Sequence, residues 1–482
     1  MKYLLGIDIG TQGTKTSLFD LNGNIIKEAF ESSNLITRNG NEVEQNPDDI
    51  YNSVLNTVSE VVKCVNSSNI KGIGIDAQMA GIMGIDDDWN YVTPYDSWLD
   101  TRCAKYISIM KEHAEKDIIR ITGCPVTYAH GPKILWWKYE KPLVYKKISK
   151  FVVLSAYITG RLTGLKAKDA YIDYTQLHFS GFGDVEKAEW SQKLIKTFDM
   201  DAQKLPKIVK PCDIVGYVTD QAASLCGLMA GTPVVAGCGD QPATSLAAGI
   251  VRRGMAFDGA GTASVFSCCT DNYNPDVSNK TILHARSVID GLWIPLAYIN
   301  GGGLCLKWLS RDITGISLKQ LDEEADKVSP GSNGLIFLPH FTGRACPNDP
   351  NAKGGFIDLN FNHGAGHMHR AVMESIAFEY KMYAELLNSC PDRVTVIGGG
   401  AKSRVFNQIK ADVLGVKYAL VKSERSPTYG IAVVAGYGVS LYNDIAETIM
   451  MNIEIGNEIS PCAGVDYSES IKKYRHYMEV VR

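Results

Sequence analysis

A short apolar run that stops in a glycine turn and resumes as a second β-forming run limits this chain more than any other feature. LLGIDIG is followed by Thr11-Gln12-Gly13 and then TKTSLFD, and Asn22-Gly23-Asn24 turns the chain again into IIKEAF. The chain therefore opens as a β-meander. Both G-x-x-x-x-G-K-[ST] and G-x-G-x-x-G lead into a helix, whereas this glycine turn leads into a strand, so neither phosphate motif is present here. Asn46-Pro47 then starts a helix with Asp48 and Asp49 in its first turn, where the N-terminus favours anions. Ile50, Val54, Val58, Val62 and Val65 recur along it at three- and four-residue spacing, which predicts about five turns. IKGIGIDAQ follows as another strand, and meander, crossover helix and strand together make an α/β layered domain.

The second half repeats the theme. GMAFDGAGTASVFSC is strand, glycine turn and strand, and Asp258-Gly-Ala-Gly261-Thr262 loosely repeats Asp8-Ile-Gly10-Thr11. Val372, Ile376, Tyr380, Tyr383 and Leu387 form a helical stripe, RVTVIGGG runs as a strand into glycines, and a helix is expected from Ser403 to Leu414. The 482 residues fit two large α/β halves meeting near 245–255, so we divide the chain into 1–248 and 249–482.

Composition narrows the partners. Lys plus Arg is 49 against 53 Asp plus Glu, a net charge of −4, which offers no basic field for a nucleic-acid backbone or an anionic membrane. A small molecule or a protein is the expected partner. With Asp8 arriving after only MKYLLGI, a secretory layout is not expected, and the apolar stretch from Gly430 to Tyr442 is interrupted by Gly436 and Gly438. The twelve cysteines are scattered without a C-x-x-C pair and read as reduced core residues of a cytoplasmic protein.

Four clusters can carry chemistry. In Asp8-Ile-Gly10-Thr11-Gln12-Gly13-Thr14-Lys15, backbone amides and threonine hydroxyls can approach an anion while Asp8 holds a hydrated cation; the alternative is a glycine hairpin with a solvated Asp. In Gly237-Cys-Gly239-Asp240-Gln241, a carboxylate at a strand end is placed as a general base, or else as a helix N-cap. Gly259-Ala-Gly261-Thr262 is a second glycine–threonine turn, and Gly398-Gly399-Gly400-Ala401-Lys402-Ser403 can lie against a flat ring or a phosphate.

The order of these clusters along the chain resembles the FGGY family of carbohydrate kinases, within the actin-like ATPase superfamily. GIDIGTQGTK is similar to that family's first phosphate hairpin, GCGDQPATSLAAG to its catalytic-aspartate segment and GAGTASV to its second phosphate turn. GLIFLPHFTGRACPNDPNAKGGFIDL with HRAVMESIAF is similar to its C-terminal signature, and GGGAKSRVFNQIKADVLG to its adenosine segment. The resemblance implies two ribonuclease-H-like domains with an interdomain cleft, ATP and Mg²⁺ as cofactors, and a small sugar as substrate. It implies that Asp8 and Asp240 hold the metal and that Asp240 takes the proton from the attacking hydroxyl. Thr11, Gln12, Thr14 and Lys15 then face the outer phosphate, Gly261 and Thr262 the inner ones, and Gly399, Gly400, Ala401 and Asn407 the adenosine. A homodimer is compatible with this reading.

Expected sugar contacts are Gln78, Met79, Trp98, Asp100, Arg102 and Gln241, with an ion pair as the alternative for Asp100 and Arg102. Xylulokinases carry Gln-Met-His-Gly where this chain has Gln78-Met79-Ala80-Gly81, so D-xylulose is not expected to be the best substrate. Asp240-Gln241 is closer to glycerol kinases, whose Arg-Glu pair is absent, and Gly343-Arg344-Ala345 replaces the usual Gly-Glu-Arg. A nucleotide-switch ATPase of the same superfamily is the competing function. His363, His367 and His369 look like a metal cluster, but 367 and 369 fall two apart on a helix start and face different directions, and Trp136-Trp137 reads as packing.

Overall fold

The computed structural model describes residues 1–387, 391–421 and 426–481. The first sheet is built from β1 (Tyr3–Ile9), β2 (Gly13–Asp20) and β3 (Ile25–Ser32), crossed by α1 (Pro47–Val62) to β4 (Ile70–Ala77). β5 (Ile214–Tyr217), β6 (Pro233–Val235) and the two-residue β7 (Cys238–Gly239) complete it before α2 (Asp240–Ala247). The strand order is β5-β6-β4-β1-β2-β3, with β7 also on β4; β1 and β4 run parallel, while β2 is antiparallel to both β1 and β3. α1 begins where Asn46 predicts, its side chain accepting the Asp48 amide at 2.9 Å.

The second sheet repeats the plan with β8 (Ala256–Ala260), β9 (Ser264–Cys268), β10 (Leu283–Arg286) and β11 (Trp293–Ile299). After α3 (Ala365–Leu387) come β12 (Arg393–Ile397), α4 (Arg404–Leu414) and β13 (Lys417–Val421). α5 (Pro427–Gly438), α6 (Ile445–Met451) and β14 (Ile455–Ile459) follow. Its order is β10-β11-β9-β8-β12-β13-β14, with β8, β12 and β13 parallel. In each sheet an antiparallel meander is flanked by parallel strands, which is the duplicated plan of two ribonuclease-H-like domains.

Residues 427–451 lie beyond the division at 248/249 yet pack on the first sheet. α5 rests on β1 and β4 so closely that a Cβ at Gly6 would stand 2.0 Å from the Thr428 carbonyl oxygen, and one at Gly74 2.5 Å from that of Ile431. Those glycines are therefore required by close approach rather than by a turn. Leu4, Phe19, Leu246 and Val251 share one buried cluster with Tyr429, Ile431, Val434 and Ile449. Each such side chain contributes about 1.5–3 kcal/mol on burial, so this layer binds the two halves of the chain firmly.

Among the described residues no helix is long and apolar enough to cross a membrane. Cys268 and Cys269 are both buried; Cys390 lies outside the described residues. Trp137 is buried and its indole donates to Asp96 Oδ2 at 2.6 Å, a packing role as expected.

Candidate functional site

Three carboxylates meet at the strand ends of the first sheet. Asp8 and Asp76 are register partners on the parallel pair β1 and β4, and Cys238 of β7 pairs with Asp76, which sets Asp240 beside both. Gly239 holds the N-cap position of α2 without a side-chain cap, and Asp240 is the first helical residue, so the capping alternative is not realised. Burial raises the Asp240 carboxyl to about 7, with the charge of Asp8 adding to the shift. Asp8 is raised to about 6 by burial, with the Lys15 ammonium pulling it back in part. Asp76 has no exposed surface; burial first, then the charges of Asp8 and Asp240, hold its carboxyl well above the usual range. Neither Asp76 oxygen has a hydrogen-bond partner. Such a cluster titrates as a unit and carries fewer than three charges at neutral pH.

A directional hydrogen-bond chain runs beside this cluster. The Trp98 indole donates to Thr11 Oγ1 at 2.9 Å, Thr11 Oγ1 donates to Gln78 Oε1 at 3.1 Å, and Gln78 Nε2 donates to Gln45 Oε1 at 2.6 Å. An indole N–H can only donate, so Trp98 anchors one end of the chain. Trp98 is 44% exposed while Gln78 is buried, which makes the indole an open platform above a fixed amide. Met79 fills the space at Gly239, where a Cβ would stand 2.3 Å from Met79 Sδ, so it packs against the residue before Asp240. Gln241 is half-buried in the same helical turn as Asp240.

Several expected contacts fall elsewhere. Thr14 is fully buried with its hydroxyl 2.7 Å from Ser53 Oγ, because β2 turns this residue towards α1, away from any anion at the hairpin. Asp100 is buried and accepts from the Val43 amide and from Arg102 Nε, both at 2.7 Å. Arg102 also donates to Glu44 at 2.7 Å and is covered by the Trp136 ring 5.1 Å away. Asp100 and Arg102 are thus satisfied by protein groups as a buried ion pair and are not presented to a sugar. Lys15 pairs with Glu28 at 2.9 Å, and Gln12 is exposed at the tip of the hairpin.

In the second sheet, Gly261 and Thr262 are exposed at the β8–β9 turn. A Cβ at Gly303 would lie 2.0 Å from the Gly261 carbonyl oxygen, so a helix start abuts this turn. Gly400 sits against the Ala260 side chain, whereas Gly399 faces open space; both belong to a short 3₁₀ turn, Gly399–Lys402, with half-buried Ala401. Asn407 is buried beneath that turn and donates to the Ala401 carbonyl at 2.9 Å, supporting the loop from below. Asp258 occupies in β8 the place Asp8 has in β1, but its carboxylate is engaged by Lys410 Nζ and by the Tyr380 hydroxyl at 2.7 Å. The two equivalent carboxylates therefore differ: that of Asp258 is taken up by Lys410 and Tyr380, whereas Asp8 lies in the acidic cluster with Asp76 and Asp240.

Asp76 and Gln45 are functional candidates that do not stand out in the sequence. Asp76 reads as a strand residue until its register with Asp8 is known, and Gln45 is masked by the helix start that follows it. Among the described residues no group of three or more His, Cys, Asp or Glu side chains is arranged to enclose a metal ion. His369 bonds Asp322 at 2.8 Å, and His363 and His367 contact Asn333, so that histidine group is structural.

Residues 3–247 match the FGGY family of carbohydrate kinases, N-terminal domain, and residues 260–439 match the C-terminal domain of that family. A xylulose kinase of Bacillus subtilis (strain 168) is 27% identical over 490 residues, covering 100% of this chain and 96% of the relative. A gluconokinase of the same organism is 25% identical over 501 residues, covering 99% and 94%. A ligand-bound xylulose kinase from Lactobacillus acidophilus superposes with a TM-score of 0.91 at 24% identity, covering 100% of this chain and 97% of that one.

Proposed function

Because the chain belongs to the FGGY family of carbohydrate kinases and is a sugar phosphotransferase, we propose that it transfers the γ-phosphate of ATP to a hydroxyl of a small ketose or sugar acid with Asp240 as general base. The observation that carries this reading is Asp240 at the first position of α2, uncapped and raised to about 7 beside Asp8. A base with that pKa accepts a proton at neutral pH without being wholly ionised or wholly protonated beforehand. The xylulose kinase and gluconokinase relatives support a ketopentose or a six-carbon sugar acid as the substrate.

Phosphoryl transfer asks for positioning and charge neutralisation rather than covalent help from the protein. Mg²⁺ fits the donor set: it keeps several waters and needs only one or two carboxylates, and Asp8 and Asp240 supply those while Asp76 adds two unpartnered buried oxygens. Asp8 and Asp240 would hold the ion, which neutralises phosphate charge when bound. Gln78 and Trp98 place the sugar, with Met79 and Gln241 shaping the floor near the base. Thr11 links the phosphate hairpin to that floor. Gly261 and Thr262 bring backbone amides to the inner phosphates, and Gly399, Gly400 and Ala401 offer a flat surface to the adenosine.

The test is ATP consumption with a panel of ketoses, polyols and sugar acids. At least one sugar should stimulate turnover, and Asp240→Asn should lower that kcat by ~10²-fold or more with little change in either KM. ATP hydrolysis indifferent to every sugar would favour a nucleotide switch instead.

A further inference from the structure

A cavity of about 660 Å³ lies away from the carboxylate cluster, lined by the segment 248–256, the starts of β12 and β13, and residues 450–458. These walls are the places where the chain passes between the two sheets. Residues 248–255 lead from α2 of the first sheet to β8 of the second, and residues 452–454 lead from α6, packed on the first sheet, to β14 of the second. The two crossings touch, since a Cβ at Gly249 would stand 2.7 Å from Ile453 Cδ1.

The lining has an excess of cations over carboxylates in a chain whose net charge is −4. Arg252, Arg253, Arg393 and Lys417 face the cavity, against Asp392 and Glu458. Arg393 and Lys417 share the single carboxylate of Glu458 at 3.3 and 3.5 Å, and Arg253 reaches Asp271 at 3.1 Å. Arg252 is exposed and has no ion-pair partner among the described residues. Exposed pairs of this kind contribute little, so their cations remain available to a better anion. Guanidinium groups match the oxygens of a phosphate in bidentate fashion.

We propose that this cavity is a binding site for a small multiply charged anion of the phosphate or phosphate-monoester class, which bridges the linker arginine Arg252 to Arg393 and Lys417 on the second sheet. The site is separate from the nucleotide and sugar groups, and it ties together the two segments that connect the sheets. An anion held there stiffens the connection between the two sheets.

Calorimetric titration of the full chain tests this, with a non-hydrolysable ATP analogue present to fill the nucleotide's own phosphate positions. Inorganic phosphate and glycerol 2-phosphate are the two probes. Saturable binding is expected, weakened about tenfold or more in Arg252→Ser, the scale of one charge-assisted hydrogen bond, and further in Arg252→Ser/Arg393→Ser. Arg252 is exposed and has no ion-pair partner among the described residues, so its replacement leaves the fold intact. Tighter binding of the ester assigns a phosphorylated metabolite, and tighter binding of phosphate assigns the free anion. No saturable binding of either probe, or unchanged affinity in both variants, would overturn the site.

Discussion

Replacing Asp240 by Asn should make the protein more stable and less active at once, and the gain should depend on pH. The native carboxyl is raised from 3.8 to about 7. At ~1.36 kcal/mol per pKa unit, holding it ionised in the folded state costs about 4 kcal/mol above pH 7. The sign follows from proton counting. Between the unfolded value near 3.8 and the folded value near 7, the native state binds the extra proton, so stability falls as pH rises through that window and then levels off. Asparagine removes the cost but keeps the shape. Asp240 is half-buried and water relieves part of the penalty, so a net gain of about 1–3 kcal/mol is expected at pH 8, of which most vanishes near pH 4.5. For the domain that carries α2 this corresponds to a rise in Tm of about 5 °C at pH 8 in scanning calorimetry. A variant no more stable than the parent at pH 8, or one whose gain is the same at both pH values, would refute the placement of Asp240 in a crowded acidic cluster.

Three further changes probe other parts of the account. Gln45→Leu removes the acceptor that orients the Gln78 amide, and should raise the KM for sugar about tenfold while leaving the KM for ATP unchanged; equal effects on both would point to general loosening. Lys410→Met leaves the Asp258 carboxylate buried without its cation, and should cost about 3–5 kcal/mol by denaturant titration, most of it recovered in Lys410→Met/Asp258→Asn. Ala80 has φ of +62°, a left-handed conformation that Gly adopts without strain, so Ala80→Gly should be about 0.5–1 kcal/mol more stable, and a loss would mean that the Ala80 methyl packs usefully.

Much of the frame is legible in the sequence because it is local. Gly10 and Gly13 mark the first hairpin, Asn46 marks the start of α1, and the glycines around Asp240 place its carboxylate at a strand end, although only the structure shows that Gly239 and not Asp240 is the N-cap. What the sequence conceals depends on partners far along the chain. Asp100 and Arg102 suggest a sugar clamp until Val43 and Glu44 are seen to satisfy them. Thr14 belongs to a motif facing phosphate, but strand alternation and Ser53 of α1 turn it inward. Lys410 reads as an ordinary helical lysine, although packing of α4 on the second sheet buries it against Asp258. The return of residues 427–451 to the first sheet has no local signal, since an apolar helix does not specify which sheet it covers.

The most direct measurement is the sugar dependence of ADP release by the parent and by Asp240→Asn, at pH 8 with ATP and Mg²⁺ saturating, across ketopentoses and six-carbon sugar acids. The account predicts that one of these substrates stimulates the parent and that the folded variant loses that stimulation by ~10²-fold or more while still binding ATP. Full sugar-stimulated turnover by the variant, or a parent that no sugar stimulates, would contradict it.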